Sequence, residues 1–497
     1  MGQIRKQAII SSIVIYIGFF FGFINTWFFT KNGSFTPSEY ALTRLFFDVG
    51  QTMYAFANLG VISVIYKFFP YYKDNLKQKE NDLMTWALLT AIGGFILVAI
   101  GGWIFEPLIV QKFSGRSALF VDYYKWIFPF GLGILLFTIF EAFSNNLKKT
   151  IFPAFLRETA LRLLTLALIG IYLLGLIDFH LFMQLFAFLY LVITMILATL
   201  LISNKQLHFT FSVSRVTRKF KKKIAVLGSY VFAGQIIFIL SQVMDSIFIA
   251  SLIGLTQTGI FALASFIANL IQIPQRSIVS ITLPALSQAW KDKNMIEIDR
   301  IYKRSSINLL LAALFIFGGI WLNIGDAFRL LHIQSEYATG ITVIFILSIS
   351  RLIDAGTGVN AQIIATSTQW RFEFMTGVIL LLLILPLNYI LIKKIGIEGS
   401  AYANLISFSI YNAIRYAFLW KRYNLQPFSS KTLLSILLGV AAYFISYFLF
   451  RDMQGWMGVI LRSLLFSIIF LAGIFVLKLT PDAMQLVEVA KKRFGKN

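Results

Sequence analysis

The chain of 497 residues lacks cysteine altogether and has little charge. Without cysteine, disulfides and thiolate chemistry are excluded. Asp, Glu, Lys and Arg make up only 13% of the residues, whereas soluble globular chains contain about a quarter. Hydrophobic residues account for 58% of the chain, which leaves too little polar surface for soluble domains of this total length. The composition therefore indicates an integral membrane protein.

The sequence also lacks the motifs for two further kinds of chemistry, histidine-based catalysis or metal binding and ATP hydrolysis. The three histidines, His180, His208 and His332, all lie in or beside predicted loops, so a buried histidine cluster for a metal or for acyl transfer is not expected. A phosphate-binding loop of the form G-x-x-x-x-G-K-[ST] does not occur either, so we expect no ATP-driven mechanism and no bound cofactor.

Long apolar runs fill most of the chain, and each is near the length of about 20 residues that crosses a bilayer. The first run is too long for a signal peptide and no A-x-A site follows it, so we interpret it as a retained span. An even number of spans would put both termini on one side. The sequence predicts an all-α membrane protein with about fourteen spans, at residues 8–29, 42–66, 84–105, 124–146, 155–176, 180–202, 224–252, 259–286, 306–331, 340–365, 373–392, 399–420, 432–450 and 457–478. The 51 phenylalanines are expected to face lipid.

The net charge of +22 lies in the gaps between these runs. Gaps on the side of the N-terminus contain about 28 basic residues and the opposite gaps about 7, as the positive-inside rule describes. Both termini are therefore expected in the cytoplasm. The densest run, "RVTRKFKKK" at 215–223, falls between spans six and seven. It is interpreted as a topological anchor at the membrane surface, and no nucleic-acid partner is expected.

The basic run divides the chain into two halves that resemble each other. "SEYALTRLFFDVGQ" at 38–51 matches "QTGIFALASFIANLIQ" at 257–272, at a shift of roughly 215 to 220 residues. Each half has six predicted spans, so two pseudo-symmetric six-helix lobes around a central cleft are expected. The predicted boundaries are listed here: N-lobe 1–203, linker 204–223, C-lobe 224–422, two extra helices 431–480 and cytoplasmic tail 481–497.

Two motifs carry a family resemblance. "MDSIFIASLIGLTQTGIFALA" at 244–264 and "GIEGSAYANLIS" at 396–407 resemble hallmarks of bacterial polysaccharide flippases. Multidrug exporters of the same superfamily share much of this plan. The resemblance implies a lipid-linked oligosaccharide flippase of the multidrug/oligosaccharidyl-lipid/polysaccharide superfamily, with two helices added to two six-helix lobes.

Ionisable residues inside spans are costly, and each is therefore a candidate functional residue. Arg44 and Asp48 share a face of the second span, as Arg351 and Asp354 do on the tenth, and mutual neutralisation within each pair is the alternative. Arg276 follows Pro274, which should kink the eighth span. The predicted substrate-binding residues are Arg44, Asp48, Arg276, Gln272, Gln275 and Arg351.

A second set concerns the driving ion. The resemblance implies a carboxylate on the seventh span as a ligand of the coupling cation, here Asp245, with Asp354 and Asn360 as partners. A buried carboxylate should bind a cation or a proton, so sodium at Asp245 or protonation is expected. The alternative is a structural pair between Asp245 and an arginine such as Arg276. At the cytoplasmic ends of spans four and five, Glu141, Arg157, Glu158 and Arg162 are expected to pair or to extend to the interface, as are Arg415 and Arg462.

The predicted function is translocation of a polyprenyl-pyrophosphate-linked oligosaccharide from the inner to the outer leaflet by alternating access. The alternative is a cation-coupled multidrug antiporter of the same fold. A membrane glycosyltransferase or polymerase is a third interpretation, which the short and partly apolar outer gaps disfavour. A monomer in contact with the bilayer is expected, with polysaccharide polymerase or assembly proteins as partners.

Overall fold

The computed structural model describes the backbone of residues 2–483 and the side chains of residues 14–483. Helices make up nearly all of this part of the chain, and it contains no β-strand. The chain divides into two compact units, Met1–Gly259 and Ile260–Asn497. Most of the predicted tail, residues 484–497, lies outside the described residues.

The first unit consists of eleven helices and the start of a twelfth. They are α1 (Gly2–Thr30), α2 (Pro37–Ala57), α3 (Val61–Asn75), α4 (Leu83–Ile104), α5 (Glu106–Phe113), α6 (Ala118–Asp122), α7 (Ile127–Asn146), α8 (Ile151–Phe155), α9 (Leu161–Leu173), α10 (Phe179–Ser203), α11 (Arg215–Leu252) and the first turn of α12 (Leu255–Asn269). A π-helical turn at Leu156–Ala160 joins α8 to α9. Because α11 begins at Arg215, the second part of the predicted linker is helical.

Up to residue 483, the second unit contains the remainder of α12 and eight further helices. They are α13 (Ile273–Lys291), α14 (Met295–Leu330), α15 (Ile341–Gly356), α16 (Asn360–Thr366), α17 (Trp370–Ile395), α18 (Ile397–Tyr423), α19 (Ser430–Leu449) and α20 (Gly455–Val476). Within the second unit, the most extensive helix packing joins α17 to α18 and α15 to α18. The site described below lies along the second of these.

Every predicted apolar segment coincides with one of these helices or with a broken pair. Within residues 2–483, ten helices are long and apolar enough to cross a membrane, or eleven if α2 and α3 form one bent span. The other predicted segments fall on α1, on the interrupted helix α8–α9 and on α18. The chain is a multi-pass membrane protein.

Two of the predicted spans are broken beside a glycine with a positive φ. The segment predicted at 42–66 bends by 52° between α2 and α3, where Gly60 has a φ of 76°. The buried Asn58 side chain stabilises the break, because its Oδ1 accepts the Gly60 N–H at 2.9 Å. The segment predicted at 340–365 also ends early, at Gly356. There Gly358 has a φ of 67°, and an added Cβ would lie 2.9 Å from the Ser306 backbone nitrogen, so only glycine fits.

Many phenylalanines form the core of the first unit, which corrects the expectation that they chiefly face lipid. Phe130 and Phe186 are almost fully buried and stack with ring centroids 5.5 Å apart. Phe46 and Phe182 pack around them. Aromatic pairs of this kind stabilise a packed interface by about 0.5–1.5 kcal/mol beyond the burial of area.

Candidate functional site

In the first unit, two carboxylates meet where α2 packs against α11. The Asp48 side chain on α2 lies within hydrogen-bonding reach of Ser246 and in the field of both Arg44 and Asp245. Asp245 is 9% exposed. The arrangement therefore joins Arg44, Asp48 and Asp245 in one cluster, which we call the acidic cluster together with Ser246. Two neighbouring carboxylates repel each other and favour a bound cation or a shared proton.

In the second unit, Asp354 lies at the centre of a polar network. The Gln272 Nε2 and Gln275 Nε2 atoms donate to its Oδ2 at 3.1 and 3.2 Å. The Asn412 Nδ2 atom donates to its Oδ1 at 3.0 Å. These amides come from the turn before α13, from α13 itself and from α18, so three elements converge on one carboxylate. Such bonds compensate a charged group that is removed from water.

The orientation of Asn412 is fixed by further hydrogen bonds. Its Oδ1 accepts from Thr357 Oγ1 and from Asn360 Nδ2, both at 3.0 Å, and its Nδ2 also donates to the Phe408 carbonyl at 3.1 Å. Turning this amide would break all of these bonds. Each glutamine, by contrast, can turn its own carbonyl oxygen toward a cation at Asp354. We call Gln272, Gln275, Asp354, Asn360 and Asn412 the amide network.

Two arginines of the second unit lie close to the amide network in sequence. The Arg351 guanidinium, one turn before Asp354, lies 5.4 Å from the centre of the Phe408 ring. A cation above an aromatic face is stabilised by the ring quadrupole. Arg276 occupies the first turn of α13 and is exposed. A 3₁₀ turn at Leu270–Gln272 interrupts the helix just before Pro274, in agreement with the predicted disturbance.

Two arginines that were expected near an interface are buried in ion pairs. Arg415 on α18 is 4% exposed, pairs with Glu373 on α17, and lies 3.6 Å from the centre of the Tyr411 ring. Arg462 on α20 is 5% exposed and pairs with Asp326 on α14. These pairs are structural, because removal of the acidic partner would leave a buried arginine uncompensated. Asp326 also forms a salt bridge to the exposed Arg329.

The four charged residues at the predicted ends of spans four and five also pair with one another. Arg157 Nη1 lies 2.6 Å from Glu141 Oε2, and Arg162 Nη2 lies 3.3 Å from Glu158 Oε2. The π-helical turn contains both Arg157 and Glu158, which places them beside α7. This is the pairing expected from the sequence.

The structure distributes the predicted site residues over the two units. Arg44, Asp48 and Asp245 lie together in the acidic cluster. Gln272, Gln275, Asp354 and Asn360 lie together in the amide network, although Asn360 reaches Asp354 only through Asn412. The predicted association of Asp245 with Asp354 stays a prediction. Sequence reasoning missed Asn412, whose signal was a buried-looking amide in the apolar run "ISFSIYNAI".

Comparison with known proteins relates the chain to membrane transporters. No family model matches the chain. In sequence it is similar to the capsular polysaccharide biosynthesis protein CapF of Staphylococcus aureus, with 26% identity over 305 residues, which is 58% of this chain and 74% of that protein. In structure it is similar to the lipid II flippase MurJ in an inward closed conformation, with a TM-score of 0.71 and 17% identity over 94% of this chain and all of that one.

A second structural likeness is to a multidrug resistance transporter of the MATE family, in the MOP superfamily, in an inward-facing conformation. The TM-score is 0.63 at 16% identity, covering 84% of this chain and 98% of that one. The chain thus has the fold of the multidrug/oligosaccharidyl-lipid/polysaccharide superfamily, which confirms the sequence resemblance at the level of the fold.

Proposed function

We propose that the protein is a flippase that moves a polyprenyl-pyrophosphate-linked oligosaccharide from the inner to the outer leaflet of a bacterial cytoplasmic membrane. The observation that carries this proposal is the joint likeness to a lipid II flippase in fold and to a capsular polysaccharide biosynthesis protein in sequence. Both termini are proposed to be cytoplasmic, because the basic residues lie in the corresponding gaps.

Arginines suit the charge of such a headgroup. A planar guanidinium matches phosphate oxygens in a bidentate manner, and an anion that leaves water needs this compensation. Arg44 and Arg276 are each proposed as contacts of the pyrophosphate, and Arg351 as a further contact. Moving about two negative charges outward at 100 mV gains about 4.6 kcal/mol, so the membrane potential can drive the step without ATP.

The carboxylates are proposed to couple transport to a cation gradient. Asp245 in the acidic cluster and Asp354 in the amide network are the two candidates for binding sodium or a proton. At Asp354 the oxygens of Gln272 and Gln275 would complete an oxygen ligand set for sodium. Asn412 would hold Asp354 in place through its fixed orientation.

A flipping assay tests this function. In vesicles containing a fluorescent polyprenyl-pyrophosphate oligosaccharide, a sugar-oxidising reagent outside should modify more of the probe when the protein is present. The variant Arg276→Ala should abolish the increase. Arg276→Lys should restore part of it, because lysine keeps the positive charge but cannot bind phosphate oxygens in a bidentate manner. The exposed Arg371, in the first turn of α17, serves as the matched control, and Arg371→Ala should flip normally.

The acidic cluster favours one other function. Two neighbouring carboxylates beside Arg44 would suit an organic cation, and a multidrug resistance transporter has a similar fold. Efflux of a cationic dye from the same vesicles, with no flipping of the glycan lipid, would favour this alternative.

A further inference from the structure

A groove of about 510 Å³ lies in the first unit between α3, α4 and the first half of α11. This volume is within the range of about 300–1,000 Å³ that small-molecule sites occupy. Its walls are mainly apolar and include Leu59, Trp86, Ala87, Ile224, Ala225 and Phe232. Walls of this kind suit a hydrocarbon chain.

One end of the groove is polar. The Thr217 hydroxyl donates to Asp82 Oδ2 at 2.8 Å and lies 2.7 Å from the Tyr72 hydroxyl, so both side chains at this end are occupied. Lys221 is the charged side chain that lines the groove in the described part of the chain. It is exposed and stands one helical turn after Thr217. A cation is therefore left at the end of an apolar groove.

The helix that supplies Lys221 is held firmly in place. Asp82, which is fully buried, also accepts the Ser214 N–H at 2.9 Å, and this bond fixes the residue that caps α11. On the other side of the same turns, Phe220 packs against Phe68 and Tyr71 of α3. The basic residues of 215–223 therefore project from a fixed helix. Such a cluster next to a membrane span attracts anionic lipid.

We propose that this groove binds an anionic phospholipid of the cytoplasmic leaflet, with one acyl chain against Trp86 and Ala225 and the phosphate at Lys221. The cation at Lys221 and the mainly apolar walls, which also include the hydroxyls of Thr90 and Ser229, select a lipid with a negative headgroup. The groove shares no residue with the acidic cluster or the amide network, and it requires none of the residues proposed to contact the glycan lipid.

Fluorescence of Trp86 provides the test. The protein is placed in phosphatidylcholine vesicles containing phosphatidylglycerol with brominated acyl chains, and the signal of Trp86 is taken as the difference between the unmodified protein and Trp86→Phe. We expect saturable quenching. Lys221→Gln should raise the mole fraction for half-maximal quenching about fivefold. Lys222→Gln removes the same charge outside the groove and should raise it less than twofold.

A second pair of variants tests the groove itself. Ala225→Phe fills the groove and should abolish saturable quenching, whereas Val226→Phe, on the adjacent exposed position, should leave it unchanged. Equal effects within either pair would overturn the proposal. So would equal quenching by brominated phosphatidylcholine, which would show no preference for an anionic headgroup. Displacement by an equimolar amount of unbrominated polyprenyl phosphate would assign the groove to that lipid and overturn the phospholipid assignment.

Discussion

Asn412 and Asp354 are 58 residues apart in the chain, yet Asn412 Nδ2 donates a hydrogen bond of 3.0 Å to Asp354 Oδ1. This contact joins α18 to α15 in the middle of the second unit. Because Thr357 and Asn360 bond to the other atom of the same amide, Asn412 determines where the carboxylate points. Its removal should therefore affect both folding and ion binding.

The first prediction concerns Asn412→Leu, which keeps the approximate volume but removes every polar contact. The free energy of unfolding should fall by about 1–3 kcal/mol, because Asn360 loses an acceptor and the Asp354 carboxylate loses a donor. Sodium should also lose its effect on the melting temperature in detergent. For the unmodified protein, sodium at a hundred times its dissociation constant should add about 2.7 kcal/mol.

Asn404→Leu is the matched control, since Asn404 is also a buried amide on α18 and its Nδ2 donates to the Ser400 carbonyl. That variant should be destabilised while still responding to sodium. If Asn412→Leu keeps the full sodium response, Asn412 has a structural role and no role in sodium binding.

The second prediction concerns the carboxylates. Asp245→Asn and Asp354→Asn should each give a folded protein whose transport no longer changes when a sodium or proton gradient is imposed across the vesicle membrane. The reason is that a neutral amide lacks the negative charge that holds the cation and cannot exchange a proton. Asp292→Asn, an exposed position after α13, should keep the response. Gradient-dependent transport by Asp245→Asn would remove that residue from the coupling mechanism.

The third prediction concerns the buried pair of Arg462 and Asp326. Arg462→Met should lower the free energy of unfolding by about 1–3 kcal/mol, because the buried Asp326 would lose one charged partner and keep the exposed Arg329. The double variant Arg462→Met with Asp326→Leu should recover a large part of this loss. Arg451→Ala, at an exposed pair with Asp452, should change stability by less than about 1 kcal/mol. Chemical unfolding in detergent measures all three, and equal losses at Arg451 and Arg462 would contradict the buried pair.

The fourth prediction concerns topology and uses the absence of native cysteine. A single cysteine at Ser212 should react with a membrane-impermeant maleimide only after cells are opened, since the linker is proposed to be cytoplasmic. A cysteine at Thr256 should react in intact cells. Both positions are exposed, so access through the protein does not limit either reaction. The reverse pattern at either position would refute the proposed orientation.

The helices follow from the sequence because a span must bury its backbone hydrogen bonds in an apolar run of sufficient length. The breaks were harder to predict. At Asn58 and Gly60 the run stays apolar on both sides, so hydropathy alone gives one continuous segment. The signal is the combination of a capping amide with a glycine two residues later, which forms the bend.

The candidate site was predictable only in part. Charged residues within apolar runs identified Asp48, Asp245 and Asp354, because their burial is costly. Hydropathy does not show which helices pack together, and Asn412 therefore looked like any amide in a span. Arg415 and Arg462 looked interfacial for the same reason, since their acidic partners come from other helices.

The most direct test of the central proposal is the rate at which purified protein transfers a polyprenyl-pyrophosphate-linked oligosaccharide across a vesicle membrane. A negative-inside potential should accelerate outward transfer, because the anionic headgroup moves with the field. The account predicts transfer that depends on the protein, increases with the potential and is lost in Arg276→Ala but not in Arg371→Ala. Absence of transfer by a folded protein that expels a cationic dye from the same vesicles would contradict it.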